Sequence, residues 1–159
     1  MNGNEPLQGS PTTDYRLRPP QAADAAPIRD LVRRVFINPT GLNWRRFTIA
    51  ETAAGQMAGF IQLKPHRGGS FELASLAVEE AHRGRGVARL LIEHLLANSP
   101  RPLYLTCRAQ LAPMYAKFGF RVVQTGRLPC YFALVRLAFK LMALFWPTEN
   151  GGCIMRLDE

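Results

Sequence analysis

The sequence has few cysteines and no Cys-x-x-Cys pair. The three that it contains, Cys107, Cys130 and Cys153, are widely spaced and odd in number. Disulfide frameworks and cysteine-based zinc sites need more cysteines at closer spacings. The pattern therefore argues against both and predicts no metal site. It indicates free thiols in a reducing compartment, for which the cytoplasm is the expected location.

The N-terminal residues lack the features of a secretory signal. Residues 1–14 have no basic start and no apolar stretch. We expect them to form a disordered polar leader. The length of 159 residues fits one domain, and a hydrophobic content of 47% is enough for a core. The folded domain is therefore expected at 15–159.

The chain also lacks a dense basic run and an aromatic RNA-binding motif, although its formal net charge is +8. Scattered arginines without such a motif argue against a nucleic-acid partner. An excess of positive charge leaves an anionic ligand or an anionic membrane surface open as partners.

Segments of strand pattern alternate with segments of helix pattern in the middle of the chain. The predicted strands are 15–18, 46–51, 57–64, 70–78, 103–107, 120–124 and 153–157, and the predicted helices are 24–36, 87–96 and 112–118. A turn is predicted at 38–41, where Asn, Pro and Gly cluster. This order predicts an α/β (α+β) fold with a mixed sheet and helices on both faces.

A glycine-containing loop joins the strand that ends at Val78 to the helix after it. The loop reads Arg83-Gly-Arg-Gly-Val-Ala88. Glycine allows a ligand to approach the backbone closely, and the N–H groups and dipole of a helix start favour an anion such as pyrophosphate. The loop is not a dinucleotide fingerprint, because Arg89 stands where the third glycine would be, and no Gly-Lys-Ser/Thr follows for a Walker A loop.

At these residues the sequence resembles the GNAT superfamily of N-acetyltransferases. The family signature Arg/Gln-x-x-Gly-x-Gly/Ala is complete in the loop, and Tyr115-Ala-Lys-Phe-Gly-Phe120 is similar to the family's Tyr-x-x-x-Gly-Phe. The resemblance implies one domain with a mixed, mostly antiparallel central sheet flanked by helices on both faces. It also implies an enzyme that moves an acetyl group from acetyl-CoA to a primary amine by direct attack. The acceptor, a small molecule or a peptide, is left open, and a non-catalytic CoA-binding module on the same fold is the alternative.

The resemblance implies roles for individual residues. Backbone groups of Leu76, Ala77 and Val78 would pair with the pantetheine arm of the cofactor, as an added strand does. The pyrophosphate would be held at Arg83, Gly84, Arg85, Gly86, Val87 and Ala88. Tyr115 would be the general acid that protonates the leaving thiolate. Arg108 stands where many members carry an asparagine that binds the cofactor arm, so it is expected to contact the cofactor differently or to face an anionic acceptor.

Glu72 is the leading candidate for the base that removes a proton from the amine. Some family members place a glutamate base on this strand, and an even spacing predicts that Glu72 shares a strand face with Ala74, Leu76 and Val78. The alternative is an exposed strand carboxylate paired with an arginine.

Three other residues remain candidates for the chemistry. His66 and His82 could each serve as the base, although lone loop histidines are mostly solvated. Cys107 could be an acyl-enzyme nucleophile, but no partner pattern supports that role.

The apolar segment 130–146 carries two charged residues, Arg136 and Lys140. It is shorter than the roughly 20 apolar residues that span a bilayer, so a membrane-spanning helix is not expected. We predict a helical insertion at 129–147. It packs against the core beside the acceptor site, forms a homodimer or other partner surface, or makes a peripheral membrane contact.

The apolar width of this segment exceeds a one-sided stripe. We therefore expect part of it to be covered by the domain and part by a second surface. Phe132 and Phe139 are expected on the side that faces the second surface, with both cations facing solvent.

Overall fold

The computed structural model describes residues 14–35, 37, 40–145 and 151–159. All of the predicted leader except its last residue lies outside these ranges. Two residues of the predicted turn at 38–41 also lie outside them. The same holds for Phe36, the predicted end of the first helix, and for Pro147, the predicted end of the helical insertion. The division of the chain into a leader and a domain at 15–159 stays a prediction.

The described residues form seven strands and four helices. In chain order these are β1 Tyr15–Arg18, α1 Ala25–Arg34, β2 Phe47–Thr52, β3 Met57–Pro65, β4 Phe71–Val78, α2 Val87–Asn98, β5 Leu103–Arg108, α3 Ala112–Ala116, β6 Arg121–Val122, α4 Cys130–Phe145 and β7 Gly152–Leu157. They build one sheet in the order β1-β2-β3-β4-β5-β7-β6. In this sheet β4 and β5 are parallel, and the other neighbours are antiparallel. The predicted mixed, mostly antiparallel sheet is confirmed.

Hydrophobic side chains pack on both faces of the sheet. On one face, α2 buries Leu91, Ile92 and Leu95 in a core that also contains Ile61 and Leu105 of the sheet. On the other face, the apolar stripe of α1 packs against the sheet, with Ile28, Leu31, Val32, Phe47, Ile49, Phe60 and Ala77 forming this second core. The helices therefore flank the sheet on both faces, as the sequence predicts.

Strand β4 contains an irregularity that reverses its side-chain alternation. Its pairing with β3 shifts register between Phe60 and Gln62, and Ser75 adopts a left-handed φ of 52°. An extra residue in one strand turns all later side chains to the opposite face. Ala77 accordingly packs into the core of α1, while Leu76 packs against the core of α2.

This bulge corrects one prediction. Leu73, Leu76 and Val78 all pack on the core beside α2. Glu72 precedes the bulge and lies on the face opposite to Leu73. Glu72 therefore does not share a face with Leu76 and Val78, because the extra residue breaks the period of two on which that prediction depended.

The two parallel strands separate after a short ladder. They pair only at Phe71 with Leu103, Glu72 with Tyr104 and Leu73 with Leu105. From Ala74 onward, the described pairing of β4 is to β3 alone. A gap therefore opens between the C-terminal halves of β4 and β5.

Ion pairs with buried carboxylates link β1 to β2 and to the start of α1. Glu51 and Asp24 are both buried, Arg16 and Arg18 donate hydrogen bonds to Glu51, and Arg18 also binds Asp24. Hydrogen bonds from Arg16 and Arg18 lower the pKa of Glu51, and the bond from Arg18 lowers the pKa of Asp24. Because both folded pKa values lie below the unfolded ones, this stabilisation is present above the unfolded pKa values. It is lost as pH falls through the folded ones.

Helix α4 lies where the helical insertion was predicted, and one side of it docks on the sheet. Phe132 is 0% exposed and stacks on Tyr104 with ring centroids 4.6 Å apart. Phe139 packs against Gly152, where a side chain would collide with its ring. None of the described helices is long and apolar enough to cross a bilayer.

The orientation of α4 corrects a second prediction. Phe132 and Phe139, expected to face a partner, are on the docked side and pack with Tyr104 and Ile154. Leu134 and Leu141 are exposed on the other side of the helix. An apolar pattern around most of a helix does not identify the side that meets the domain.

We predict that Phe132→Ala lowers the free energy of unfolding by about 3–5 kcal/mol, because it leaves a cavity beside Tyr104. The matched control Leu134→Ala, on the exposed side of the same helix, should stay within about 0.5 kcal/mol of the parent. Urea unfolding followed by circular dichroism measures both. Equal losses in the two variants would contradict the orientation of α4.

Candidate active site

A cleft of about 1070 Å³ occupies the gap between β4 and β5. It continues along the loop after β4 to the first turn of α2 and to α3. The predicted site residues that line it are Glu72, Leu76, Ala77, Val78, Arg83, Gly84, Gly86, Val87, Ala88, Arg108 and Tyr115. Arg85 is exposed and is not among the lining residues. Residues that are far apart in the sequence are thus brought to one cavity.

The loop before α2 has the backbone shape that its glycines allow. Gly84 and Gly86 have φ values of 74° and 83°, which side chains rarely adopt. Gly86 is the N-cap of α2, and no side chain caps this helix start. A Cβ at either glycine would meet no atom within 4 Å, so the space beside the loop is open. The loop therefore presents an uncapped helix N-terminus, a preferred environment for an anion, to the cleft.

Two contacts fix the segment that leads from the end of β4 to this loop. The Tyr15 hydroxyl and His82 Nδ1 are hydrogen bonded at 3.0 Å. Arg34 of α1 forms an ion pair with Glu79 at 2.6 Å. His82, a candidate base, thus lines the cleft with its Nδ1 occupied by Tyr15.

Tyr115 lies in the short helix α3 and is 6% exposed. Its ring packs edge-to-face against Phe120. Burial, and secondarily the negative charge that Cys107 can carry, raises the pKa of Tyr115 above its ordinary value. The hydroxyl is therefore protonated at neutral pH and can donate a proton into the cleft.

Glu72 is 3% exposed, and side chains of two other segments hold its carboxylate. His66 Nε2 lies 2.7 Å from Oε2, and the Thr106 hydroxyl donates to Oε1 at 3.0 Å. His66 is in turn stacked on Tyr131 of α4 at 3.8 Å between ring centroids. The alternative of an exposed carboxylate paired with arginine is wrong, because Glu72 is buried and its partners are a histidine and a threonine.

Sequence reasoning missed the pairing of Glu72 with His66, although a signal was available. The two residues flank the turn between β3 and β4, and Lys64 pairs with Glu72 in that hairpin. In this hairpin register His66 lies near Glu72. No local signal identified Tyr131, whose position depends on the docking of α4. Burial, and then the charge of Glu72, raises the pKa of Tyr131.

Cys107 and Cys153 form a second unpredicted pair, opposite each other on β5 and β7 with their Sγ atoms 3.5 Å apart. The hydrogen bond from Cys107 lowers the pKa of Cys153 to about 7. The same contact, together with burial, raises the pKa of Cys107. A raised pKa opposes the thiolate that an acyl-enzyme nucleophile needs, so the geometry disfavours that role for Cys107.

The sequence profile of the acetyltransferase (GNAT) domain family matches residues 43–122, which is half of the chain. This protein therefore belongs to the GNAT acetyltransferase family, a class of acyltransferases. No curated protein matches the chain in sequence.

Solved structures share the fold at low sequence identity. One is N-acetylglutamate synthase from Neisseria gonorrhoeae, complexed with coenzyme A and N-acetyl-glutamate, with a TM-score of 0.70 and 18% identity over 91% of this chain. This chain spans only 35% of that enzyme. An acyl-CoA N-acyltransferase from Pseudomonas aeruginosa has a TM-score of 0.62 and 21% identity, and the match covers 91% of this chain and 98% of that one. At these identities the likeness shows the fold.

We predict that alkylation of Cys153 by iodoacetamide has a pH midpoint near 7. Cys107→Ala removes the donor thiol and should move the midpoint toward the ordinary value of about 8.5. Peptide mass spectrometry reads each cysteine separately, with the exposed Cys130 as an internal reference. An unchanged midpoint in the variant would contradict the hydrogen-bonded pair.

Proposed function

We propose that this protein transfers an acetyl group from acetyl-CoA to a primary amine of a small molecule or peptide by direct attack. One observation carries the proposal. A single cleft joins an uncapped helix N-terminus, suited to a pyrophosphate, to a buried tyrosine and a buried carboxylate. These are an anion site, a proton donor and a proton acceptor, which are the three elements that acyl transfer to an amine requires.

The cofactor fits the shape and chemistry of the cleft. The open space beside Gly84 and Gly86 and the N–H groups from Arg83 to Ala88 suit a pyrophosphate. Backbone groups from Leu76 to Val78 face a gap that β5 has left, so they can pair with the pantetheine arm as with an added strand. Arg108 lines the same gap and adds a positive charge. When bound, acetyl-CoA supplies an acetyl group activated as a thioester.

Two side chains handle the protons in this proposal. Glu72 accepts the proton of the acceptor ammonium at its carboxylate, which leaves the amine lone pair free to attack. The hydrogen bonds from His66 and Thr106 fix the orientation of that carboxylate, so both are positioning residues. As the C–S bond breaks, the Tyr115 hydroxyl donates a proton to the departing sulfur, and the second proton that the nitrogen loses on becoming an amide restores the hydroxyl. The raised pKa of Tyr115 keeps its proton in place until that step.

The end of the cleft beside Glu72 suits the acceptor. Lys64 and Tyr131 line it, and the Lys64 Nζ lies 5.6 Å from the Tyr131 ring centroid. A cation beside an aromatic ring favours an acceptor that carries an anionic or aromatic group near its amine. Amino acids have this character, and N-acetyl-glutamate occupies the similar gonococcal enzyme.

The proposed location is the cytoplasm. The odd number and wide spacing of Cys107, Cys130 and Cys153 support a cytoplasmic location, because they do not form the pattern of a disulfide framework. A homodimer contact or a peripheral membrane contact through 130–146 stays a prediction, and neither is needed for the chemistry at Tyr115.

We predict that Gly86→Asp weakens CoA binding at least about tenfold, or about 1.4 kcal/mol, because it puts a carboxylate beside the pyrophosphate. Gly55→Asp is the matched control, since Gly55 has a similar φ of 77° and equally open surroundings but does not line the cleft. Calorimetric titration with CoA measures both. Unchanged affinity in a folded Gly86→Asp variant would show that the loop does not hold the cofactor.

The decisive assay measures free thiol released from acetyl-CoA across a library of amines, amino acids and peptides. Release with at least one acceptor is expected. CoA binding by the wild-type protein without release for any acceptor would instead identify a non-catalytic CoA-binding module.

With an active acceptor, we predict that Tyr115→Phe lowers kcat by roughly 10²-fold at unchanged CoA affinity. Tyr104→Phe changes another buried tyrosine, one that does not line the cleft, and should have little effect on kcat.

Glu72→Gln should also lower kcat, but its rate should recover as pH rises, because the concentration of free amine increases about tenfold per pH unit below the amine pKa. Normal turnover in Tyr115→Phe, or a Glu72→Gln rate that ignores pH, would contradict the assigned role.

A further inference from the structure

Helix α4 carries an apolar ridge that is exposed among the described residues. Leu134, Leu137, Leu141, Met142 and Leu144 are between 52% and 75% exposed. The four leucines follow each other at spacings of three, four and three residues, so they line one side of the helix. An unbroken apolar ridge of this size is unusual on the surface of a soluble domain.

The ridge points away from the domain. Tyr131, Phe132, Val135 and Phe139 are the α4 side chains that pack against the body. At 100° per residue, the leucine ridge lies on the opposite side of the helix from Phe132 and Phe139. A docking partner can therefore approach the ridge without displacing any contact that holds α4.

The charge of α4 favours an anionic partner. The helix contains Arg136 and Lys140 and no acidic residue. The two cations are four residues apart, so they share one flank between the docked side and the ridge. Arg127, just before the helix, is also exposed.

A second copy of the chain is a poor match for this charge pattern. Two α4 helices packed antiparallel, ridge to ridge, would bring their cationic flanks together. In parallel packing each cationic flank would face an uncharged one, and in neither arrangement does α4 offer a carboxylate to pair with Arg136 or Lys140. An anionic bilayer offers an apolar phase for the leucines and counter-charges for Arg136 and Lys140. At 16 residues, the helix is also too short to span a bilayer, so it would lie in the plane of the interface.

We propose that α4 is an interfacial helix that docks this protein on an anionic lipid surface, with Leu134, Leu137, Leu141 and Leu144 inserted below the headgroups and Arg136 and Lys140 beside the lipid phosphates. The proposal does not depend on acetyl transfer, and its test uses no acetyl-CoA.

The test is co-sedimentation of the full-length protein with vesicles of phosphatidylglycerol and phosphatidylcholine, compared with pure phosphatidylcholine. Binding to the anionic vesicles that weakens with salt is expected. Leu137→Ser with Leu141→Ser should reduce the partition coefficient at least about tenfold. Val122→Ser, an exposed apolar residue on β6, is the matched control and should bind as wild type.

A charge variant tests the second half of the proposal. Lys140→Gln should reduce binding to anionic vesicles about fivefold, whereas Arg29→Gln, at an exposed position on α1, should not. If the double serine variant does not fold, as judged by circular dichroism, the Lys140→Gln comparison decides the question alone.

Three results would overturn the proposal. The first is absence of binding to anionic vesicles by the wild-type protein. The second is wild-type binding by a folded double serine variant or by Lys140→Gln. The third is a stable dimer in lipid-free sedimentation velocity that the serine substitutions dissociate, which would make a second copy the occupant of the ridge.

Discussion

The separation of β4 from β5 after Leu73 is the feature on which the whole site depends. Two parallel strands that stayed paired would use up their facing N–H and C=O groups and would leave no room between them. Here the ladder stops after three pairs, while β4 continues to Val78 and β5 to Arg108. Beyond Leu73, the edge of β4 that faces β5 is unpaired in the described sheet, and its N–H and C=O groups need partners. This edge therefore favours a ligand that can hydrogen-bond like a strand.

The bulge at Ser75 gives the two halves of β4 different tasks. Before it, Glu72 points to the face where His66 and Tyr131 lie, which is the side of the proposed acceptor. After it, Leu76 and Val78 pack toward α2, whose N-terminus is the proposed anion site. One strand can therefore contribute a proton acceptor to one part of the cleft and a cofactor-binding edge to another, which a regular strand could not do with the same residues.

The sequence predicted what depends on local signals. The loop Arg83–Ala88 and Tyr115 were predicted as site residues, because glycine spacing, helix starts and short motifs each depend on only a few neighbouring residues. The bulge was not predictable in this way, because Phe71–Val78 reads as an ordinary apolar strand and nothing in it marks Ser75 as the extra residue. The face of α4 that docks was predicted wrongly for a related reason, since only contacts with Tyr104 and Gly152 distinguish it. Pairs such as Cys107 with Cys153 depend on strand order, which the local pattern does not contain.

The two side chains that we propose to handle protons, Tyr115 and Glu72, lie in different surroundings. Tyr115 lies in an apolar setting beside Phe120, where burial disfavours the phenolate and retains the proton. Glu72 is equally buried, but hydrogen-bond partners surround its oxygens, and such donors offset the cost of burying a charge. The proposed acid and the proposed base therefore have different neighbours within one cavity. This difference follows from the packing of α3 on one face of the sheet and of α4 on the other face.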